Sequence, residues 1–250
     1  MKLDGKVAIV TGSGQGVGRG IGLALAAEGA RVVLMSRTAA RVEAVASEIL
    51  DRGGEALAIT GDVTRPSDIE STLSATLETY GGLDILVNNA QHIPRGRILE
   101  TPDEEAQAAW ESGPLATLRF MRSAHPHLRG GGVIINVGSR AGLRPDPVGR
   151  GAYAAAKEAI RALSRAAAME WGQDEIRVLV ILPFATSAEL QRMEREDPAA
   201  FLRSKNATAL GRVGDPEVDI GRAVAFLVGP DASFITGTTI PLDGGKSFVR

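Results

Sequence analysis

Tyr153 and Lys157 lie four residues apart in an alanine-rich stretch, Ala152 to Trp171, that reads as a helix. At that spacing they share a helix face, one turn apart. A free phenol, with a pKa of about 10, is a poor base near pH 7. An ammonium one turn away favours the phenolate and makes the tyrosine a usable acid and base. Ser139, fourteen residues earlier at the end of an apolar run, brings a hydroxyl able to hydrogen-bond a carbonyl oxygen. The three together suit proton relay during hydride transfer at a C=O/CH–OH centre. Taken alone, a Tyr-x-x-x-Lys pair is an ordinary surface helix pair, so its weight depends on what else the chain carries.

The second motif is a glycine turn, Thr11-Gly12-Ser13-Gly14-Gln15-Gly16-Val17-Gly18, between an apolar run and a helical pattern. Glycine there permits positive φ, lets backbone amides approach a pyrophosphate and lets helix pack closely on strand. The helix N-terminus adds partial positive charge for phosphates. After the next apolar run, Arg31 to Met35, the position where NAD-dependent proteins carry Asp or Glu for the ribose 2′-hydroxyl holds Ser36, followed by Arg37. No carboxylate repels a 2′-phosphate, and the Arg37 fork can bind one. NADP(H) is therefore expected in preference to NAD(H).

These residues need elements to hold them. Short apolar runs (Val7–Val10, Arg31–Met35, Leu57–Ile59, Ile85–Val87, Val133–Ile135, Val178–Leu182) alternate with amphipathic stretches, such as Gly16 to Glu28 and Ala39 to Asp51. Continuous β-branched runs fit strands covered on both faces, and the alternation implies βαβ units. The expectation is an α/β fold, a Rossmann-type doubly wound parallel sheet with helices on both faces, as a single domain over 1–250. The charged stretch 184–213 breaks the rhythm. It reads either as an inserted helical segment covering the substrate or as a solvated surface helix pair.

Composition narrows the remaining classes. The 250 residues are 44% hydrophobic and 23% charged, which suits a globular chain. With 28 basic and 30 acidic residues, the net charge of −2 gives no support for nucleic acid as a partner. The absence of cysteine excludes a disulfide framework and a thiolate metal site. No apolar run reaches the roughly 18–20 residues of a membrane span. The opening Met1-Lys2-Leu3-Asp4-Gly5-Lys6 lacks signal-peptide shape, so a cytoplasmic location is expected. His125 and His127, flanking Pro126, have no carboxylate spacing for a metal and read as surface histidines. His92, Arg95 and Arg97 share a loop at the active end of the sheet, where the arginines could steer an anionic substrate.

The glycine spacing, Gly-x-x-x-Gly-x-Gly, resembles that of the classical short-chain dehydrogenase/reductase family. The resemblance runs along essentially the whole chain. It continues in Asp62-Val63, in Asn88-Asn89-Ala90, in Ser139, in Tyr153-Ala-Ala-Ala-Lys157 and in Gly237 with Asp243-Gly244-Gly245. It implies a ketone/secondary-alcohol oxidoreductase on a small molecule, with Ser139, Tyr153 and Lys157 catalytic. It also implies a dinucleotide held by Gly12, Ser13, Gln15, Gly16, Val17, Gly18, Ser36, Arg37, Asp62, Val63, Asn89, Ala90, Pro183 and Thr186, with Tyr153 and Lys157 at the nicotinamide ribose. A 3-oxoacyl-thioester reductase and a dinucleotide-binding sensor without turnover are the alternatives. By the same resemblance the chain forms a homotetramer through its fourth and fifth helices and C-terminal strand.

Several positions depart from the family pattern. Gln15 stands where many NADP-dependent relatives carry a basic residue, and Gln91 replaces the glycine of Asn-Asn-Ala-Gly. Phe184 follows Pro183, which puts a ring near the expected nicotinamide, with Thr186 and Ser187 left as partners for its carboxamide. The relay asparagine expected on the fourth helix falls at Gly113, between Ser112 and Pro114, so that either Ser112 or water takes the role, or turnover is slower, or the chemistry has drifted. A Gly-Pro pair should also weaken that helix.

Overall fold

The computed structural model describes residues 1–144 and 149–247. Its first half runs β1 (Val7–Thr11), α1 (Gly16–Ala27), β2 (Arg31–Ser36), α2 (Ala39–Asp51), β3 (Glu55–Thr60), α3 (Pro66–Tyr80) and β4 (Ile85–Asn88). Then come α4 (Asp103–Trp110), α5 (Ala116–Leu128), β5 (Val133–Val137), the short α6 (Arg140–Leu143), α7 (Gly151–Trp171) and β6 (Arg177–Pro183). The chain closes with α8 (Ala188–Glu196), α9 (Pro198–Asn206), α10 (Arg222–Val228) and β7 (Thr239–Leu242). The strands form one parallel sheet in the order β3-β2-β1-β4-β5-β6-β7. The order reverses between β1 and β4, which is where such a sheet opens a crevice at its carboxyl ends.

Alternation of side chains along buried strands builds a core on each face. Ala8, Val10, Val32, Leu34, Ile85, Val87 and Ile135 meet Ile21 and Leu25 of α1, Val45 and Ile49 of α2 and Val224 of α10. Their neighbours Ile9, Val33, Met35, Leu86 and Ile134 meet Ile69 and Leu73 of α3 and Phe120 and Met121 of α5. The doubly wound, single-domain expectation holds. The seventh strand is not one of the six apolar runs: it has four residues and contains Pro241, too little pattern to read.

The Gly113-Pro114 pair does not break its helix. Residues Glu111–Leu115 form a π-helical turn that joins α4 to α5 with helical backbone at Trp110 and Ala116 on either side. Widening to i→i+5 geometry is how a helix absorbs a residue with no N–H to give.

Close packing on α1 sets the tightest tolerance in the fold. A Cβ on Gly20 would stand 2.2 Å from the Pro216 carbonyl carbon and oxygen, and one on Gly221 would stand 2.4 Å from the Gly20 oxygen. Both obstacles are backbone, which cannot swing aside. Gly20→Ala is expected to cost about 2 kcal/mol and to lower the melting temperature by roughly 4–8 °C. Gly82→Ala, with nothing within 4 Å of its Cβ, should stay within about 0.5 kcal/mol of the parent in the same melts.

Candidate active site

The turns that leave β1 and β4 are bound to each other. Thr11 Oγ1 accepts from the backbone N–H of Asn89 (3.0 Å) and Ala90 (3.1 Å). In return Asn89 Nδ2 donates to the carbonyls of Thr11 (2.9 Å) and Gly12 (3.1 Å). The approach leaves no room for a side chain at Gly12 or Gly18. A Cβ on Gly18 would lie 2.5 Å from both Asn89 Nδ2 and the Gly12 oxygen. Gly12 and Gly16 have φ of +64° and +56°, which other residues rarely adopt.

A cleft of about 360 Å³ opens above this junction. Gly12, Gln15, Gly16, Val17 and Gly18 form its floor, and Ser36, Arg37, Asp62, Val63, Asn89 and Ala90 stand along its sides. Extended Gln15 precedes α1 without capping it, so the first N–H groups of the helix keep no side-chain partner. Uncapped helix N–H groups beside a cradle that any Cβ would fill suit a dinucleotide pyrophosphate. Ser13 contributes backbone only, because its hydroxyl is wholly buried and donates to the Met35 carbonyl (3.3 Å).

At the far end the cleft is basic. Arg37 is exposed and stands 3.9 Å from the Asp62 carboxylate. Arg41, on the first turn of α2, lines the same wall, and its Nη1 donates to Gln15 Oε1 (2.9 Å). A guanidinium thus reaches the loop position that lacks a basic residue in the sequence. The motif reading missed Arg41 because it is brought to the loop by the fold across 26 residues. The signal available was its place on the first turn of the helix that follows Arg37.

Ser139, Tyr153, Lys157, Pro183 and Thr186 do not line this cleft. Tyr153 and Lys157 are 9% and 3% exposed on the inner face of α7. A buried chain of polar groups anchors that helix to the sheet. Asn88 Nδ2 donates to Asn136 Oδ1 (2.9 Å), Asn136 Nδ2 to Ser164 Oγ (2.8 Å), and Ser164 Oγ to the Ile160 carbonyl (2.6 Å). Ser139 caps α6, accepting from Ala141 N–H (3.2 Å). Lys157 Nζ donates to the Val137 carbonyl (2.5 Å) and lies 5.6 Å from the centre of the Tyr153 ring.

Burial reverses the expected direction at Tyr153. Loss of water raises the phenol's pKa, against the lowering effects of the Ser139 hydrogen bond and Arg150 charge; Glu189 raises it further. Burial also lowers Lys157 to about 7. Each group is thus pushed toward its neutral form, and Tyr153 is a protonated phenol at neutral pH.

The remaining departures have definite places. Phe184 lies under Lys246, whose Nζ is 3.4 Å from the ring centre and also donates to Ser204 Oγ (2.8 Å) and to the Ser204 carbonyl. The ring ties α9 to the end of β7 and is not part of the cleft wall. Ser112, which lines the cleft, has no hydroxyl hydrogen to spare: it donates to the Ala108 carbonyl (2.6 Å) and accepts from His92 N–H (3.0 Å). His92 meets Glu105 (2.7 Å), and His125 meets Asp174 (3.0 Å) with its ring against Trp171. Arg95 and Arg150 both reach Glu189 on α8, at 3.1 and 2.7 Å. Thr186 Oγ1 faces the Gly214 carbonyl (3.4 Å). Among the described residues no cluster of His, Asp and Glu could hold a metal ion, and no helix is long and apolar enough to cross a membrane.

Residues 12–247 match the model of a family described as enoyl-(acyl carrier protein) reductase. A 12alpha-hydroxysteroid dehydrogenase from Clostridium sp. is 41% identical over 254 residues, covering 97% of this chain and 96% of the relative. Galactitol 2-dehydrogenase (L-tagatose-forming) from Cereibacter sphaeroides is 36% identical, covering 98% and 96%. A short-chain dehydrogenase from Burkholderia cenocepacia in complex with NADP superposes with a TM-score of 0.91 at 32% identity, over 98% of this chain and 99% of that one. The sheet, the glycine cradle and these likenesses over nearly the whole length place the chain in the short-chain dehydrogenase/reductase family, as an NAD(P)-binding oxidoreductase acting on CH–OH/C=O groups.

Proposed function

We propose that the chain interconverts a ketone and a secondary alcohol using NADP(H) in preference to NAD(H), with Tyr153 as the acid and base. The observation that carries this reading is the buried Tyr153 phenol, one turn from Lys157 and within the influence of the Ser139 hydroxyl, in a chain whose glycine cleft is edged by arginines. The dinucleotide, when bound, supplies or accepts the hydride at the carbon. Ser139 orients the carbonyl oxygen, and Tyr153 gives that oxygen a proton as negative charge develops on it. Lys157, which burial lowers to about 7, lies one turn from the phenol and, by likeness to the family, holds the nicotinamide ribose. Segment 184–213 acts as the substrate cover: Ser187 and Ala188 line the cleft, and Glu189 fastens α8 to Arg95 and Arg150. The clostridial relative's name favours a ring-borne secondary alcohol as the first substrate class to test. A 3-oxoacyl thioester is the second, supported by the description of the matched family model.

For the cofactor, Ser36 in place of a carboxylate, with Arg37 and Arg41 on one wall, supports 2′-phosphate recognition. Nicotinamide fluorescence titration should show NADPH binding more tightly than NADH. Arg37→Ala and Arg41→Ala should each weaken NADPH about 10- to 150-fold and leave NADH within twofold, as expected for a charge-assisted contact of about 1.5–3 kcal/mol. Equal affinity for the two cofactors would defeat the assignment.

Loss of the general acid should cost 10²-fold or more in kcat. Tyr153→Phe is expected to do so with NADPH affinity nearly unchanged, whereas turnover unchanged against the best ketone would refute the mechanism. Because burial raises the Tyr153 pKa, carbonyl reduction should hold through neutral pH and fall only on the alkaline side. Alcohol oxidation, which needs the deprotonated form, should rise with pH.

The chain is proposed to assemble as a homotetramer. Exposed apolar side chains on the helices and near the last strand, Trp110, Met169, Phe226 and Phe234, support burial against other copies. Light scattering should give four times the chain mass; a monomer at micromolar concentration would refute this.

A further inference from the structure

The departures at Gln91, Gly113 and Pro114 meet in one contact. A Cβ on Gly113 would stand 2.6 Å from Gln91 Nε2 and 2.9 Å from its Cδ, so the carboxamide is seated in the notch that Gly113 leaves. From that seat Nε2 donates to the Ala109 carbonyl at 3.3 Å. Ala109 is fully buried in the last turn of α4, immediately before the π turn Glu111–Leu115, so the carboxamide bridges the loop after β4 to the start of that turn. The same turn carries Ser112, which holds the His92 backbone, and Gln91, His92, Ile93 and Ser112 together wall the inner end of the cleft.

We propose that Gln91 is a positioning residue: its carboxamide fills the notch at Gly113, bonds the Ala109 carbonyl and so fixes the π turn and the inner cleft wall. Oε1 is buried and has no hydrogen-bond partner among the described residues. Exchanging the two amide atoms would set oxygen against the Ala109 carbonyl, so the orientation is determined. Gly113 is then small because Gln91 is large, and the two positions are coupled.

The inference rests on the carbonyl-reductase reading for its kinetic consequence but not for its structural one. Gln91→Met keeps the reach and loses the hydrogen bond. It should lower kcat/KM for a reduced ketone about 10- to 100-fold, as displaced reacting groups do, with NADPH affinity within twofold. Gly113→Ala should do the same by evicting the carboxamide, and its penalty should vanish in a Gln91→Gly background. The melting temperatures of the parent, Gln91→Gly, Gly113→Ala and the double variant give the same cycle without turnover. Wild-type kinetics in Gln91→Met, additive penalties in both cycles, or NADPH affinity lost in step with kcat/KM would each overturn the proposal. A chain that reduces no ketone but shows coupled melting keeps the seating and defeats the reductase reading instead.

Discussion

Everything at the carboxyl edge of the sheet depends on the mutual hydrogen bonding of the β1 and β4 turns. Parallel strands end with backbone groups that have no ladder partner, and buried orphans cost about 1–3 kcal/mol each. Thr11 and Asn89 answer this reciprocally, each side chain serving the other's backbone. The bonds are short only because Gly12 and Gly18 have no side chains between them. The cleft is therefore a by-product of satisfying strand ends: once the turns are drawn together, the α1 N-terminus faces outward over the junction. Stability and binding geometry share one set of contacts there. A larger residue in the turn would damage both.

A second constraint is the cost of burying charge at Tyr153 and Lys157. Lys157 gives its ammonium one short hydrogen bond to Val137 and almost no water. Tyr153 is drawn the opposite way on its own scale. The protein meets this cost through the line of Asn88, Asn136 and Ser164, which holds α7 against β4 and β5 without a further charge. Neutral amides and a hydroxyl can be satisfied fully in a dry core, whereas a fixed ion there would move both titrations. The polar line thus keeps the pair in place without altering its protonation.

Much of this was legible in the residues. The apolar runs with two faces buried imply the parallel sheet, and the glycine turn before a helix implies the cradle. Tyr153, Lys157 and Ser139 do lie together, as their spacing suggests. What could not be read has physical reasons. β7 is short and interrupted by Pro241, so no periodicity marks it. The direction of the Tyr153 shift depends on how much water reaches the phenol, and spacing says nothing about that. Ser112 looks like a spare hydroxyl until its two bonds, to Ala108 and from His92, are counted. Phe184 looks like an intrusion on the cleft until Lys246 is found over its ring.

Two of the departures share a form. The glycine loop has glutamine where a cation is expected, and a guanidinium from α2 arrives at that glutamine from 26 residues away. The π turn has glycine where a carboxamide is expected, and a carboxamide arrives at that glycine from the loop after β4. In both places the chemical group is present in space although it is absent from its register. A site is selected for which atoms meet, and the fold brings several backbone positions within reach of one point. A motif records one solution to that requirement. A missing motif residue is therefore evidence of lost function only after the volume it would have filled proves empty, and at Gly113 that volume is occupied by Gln91.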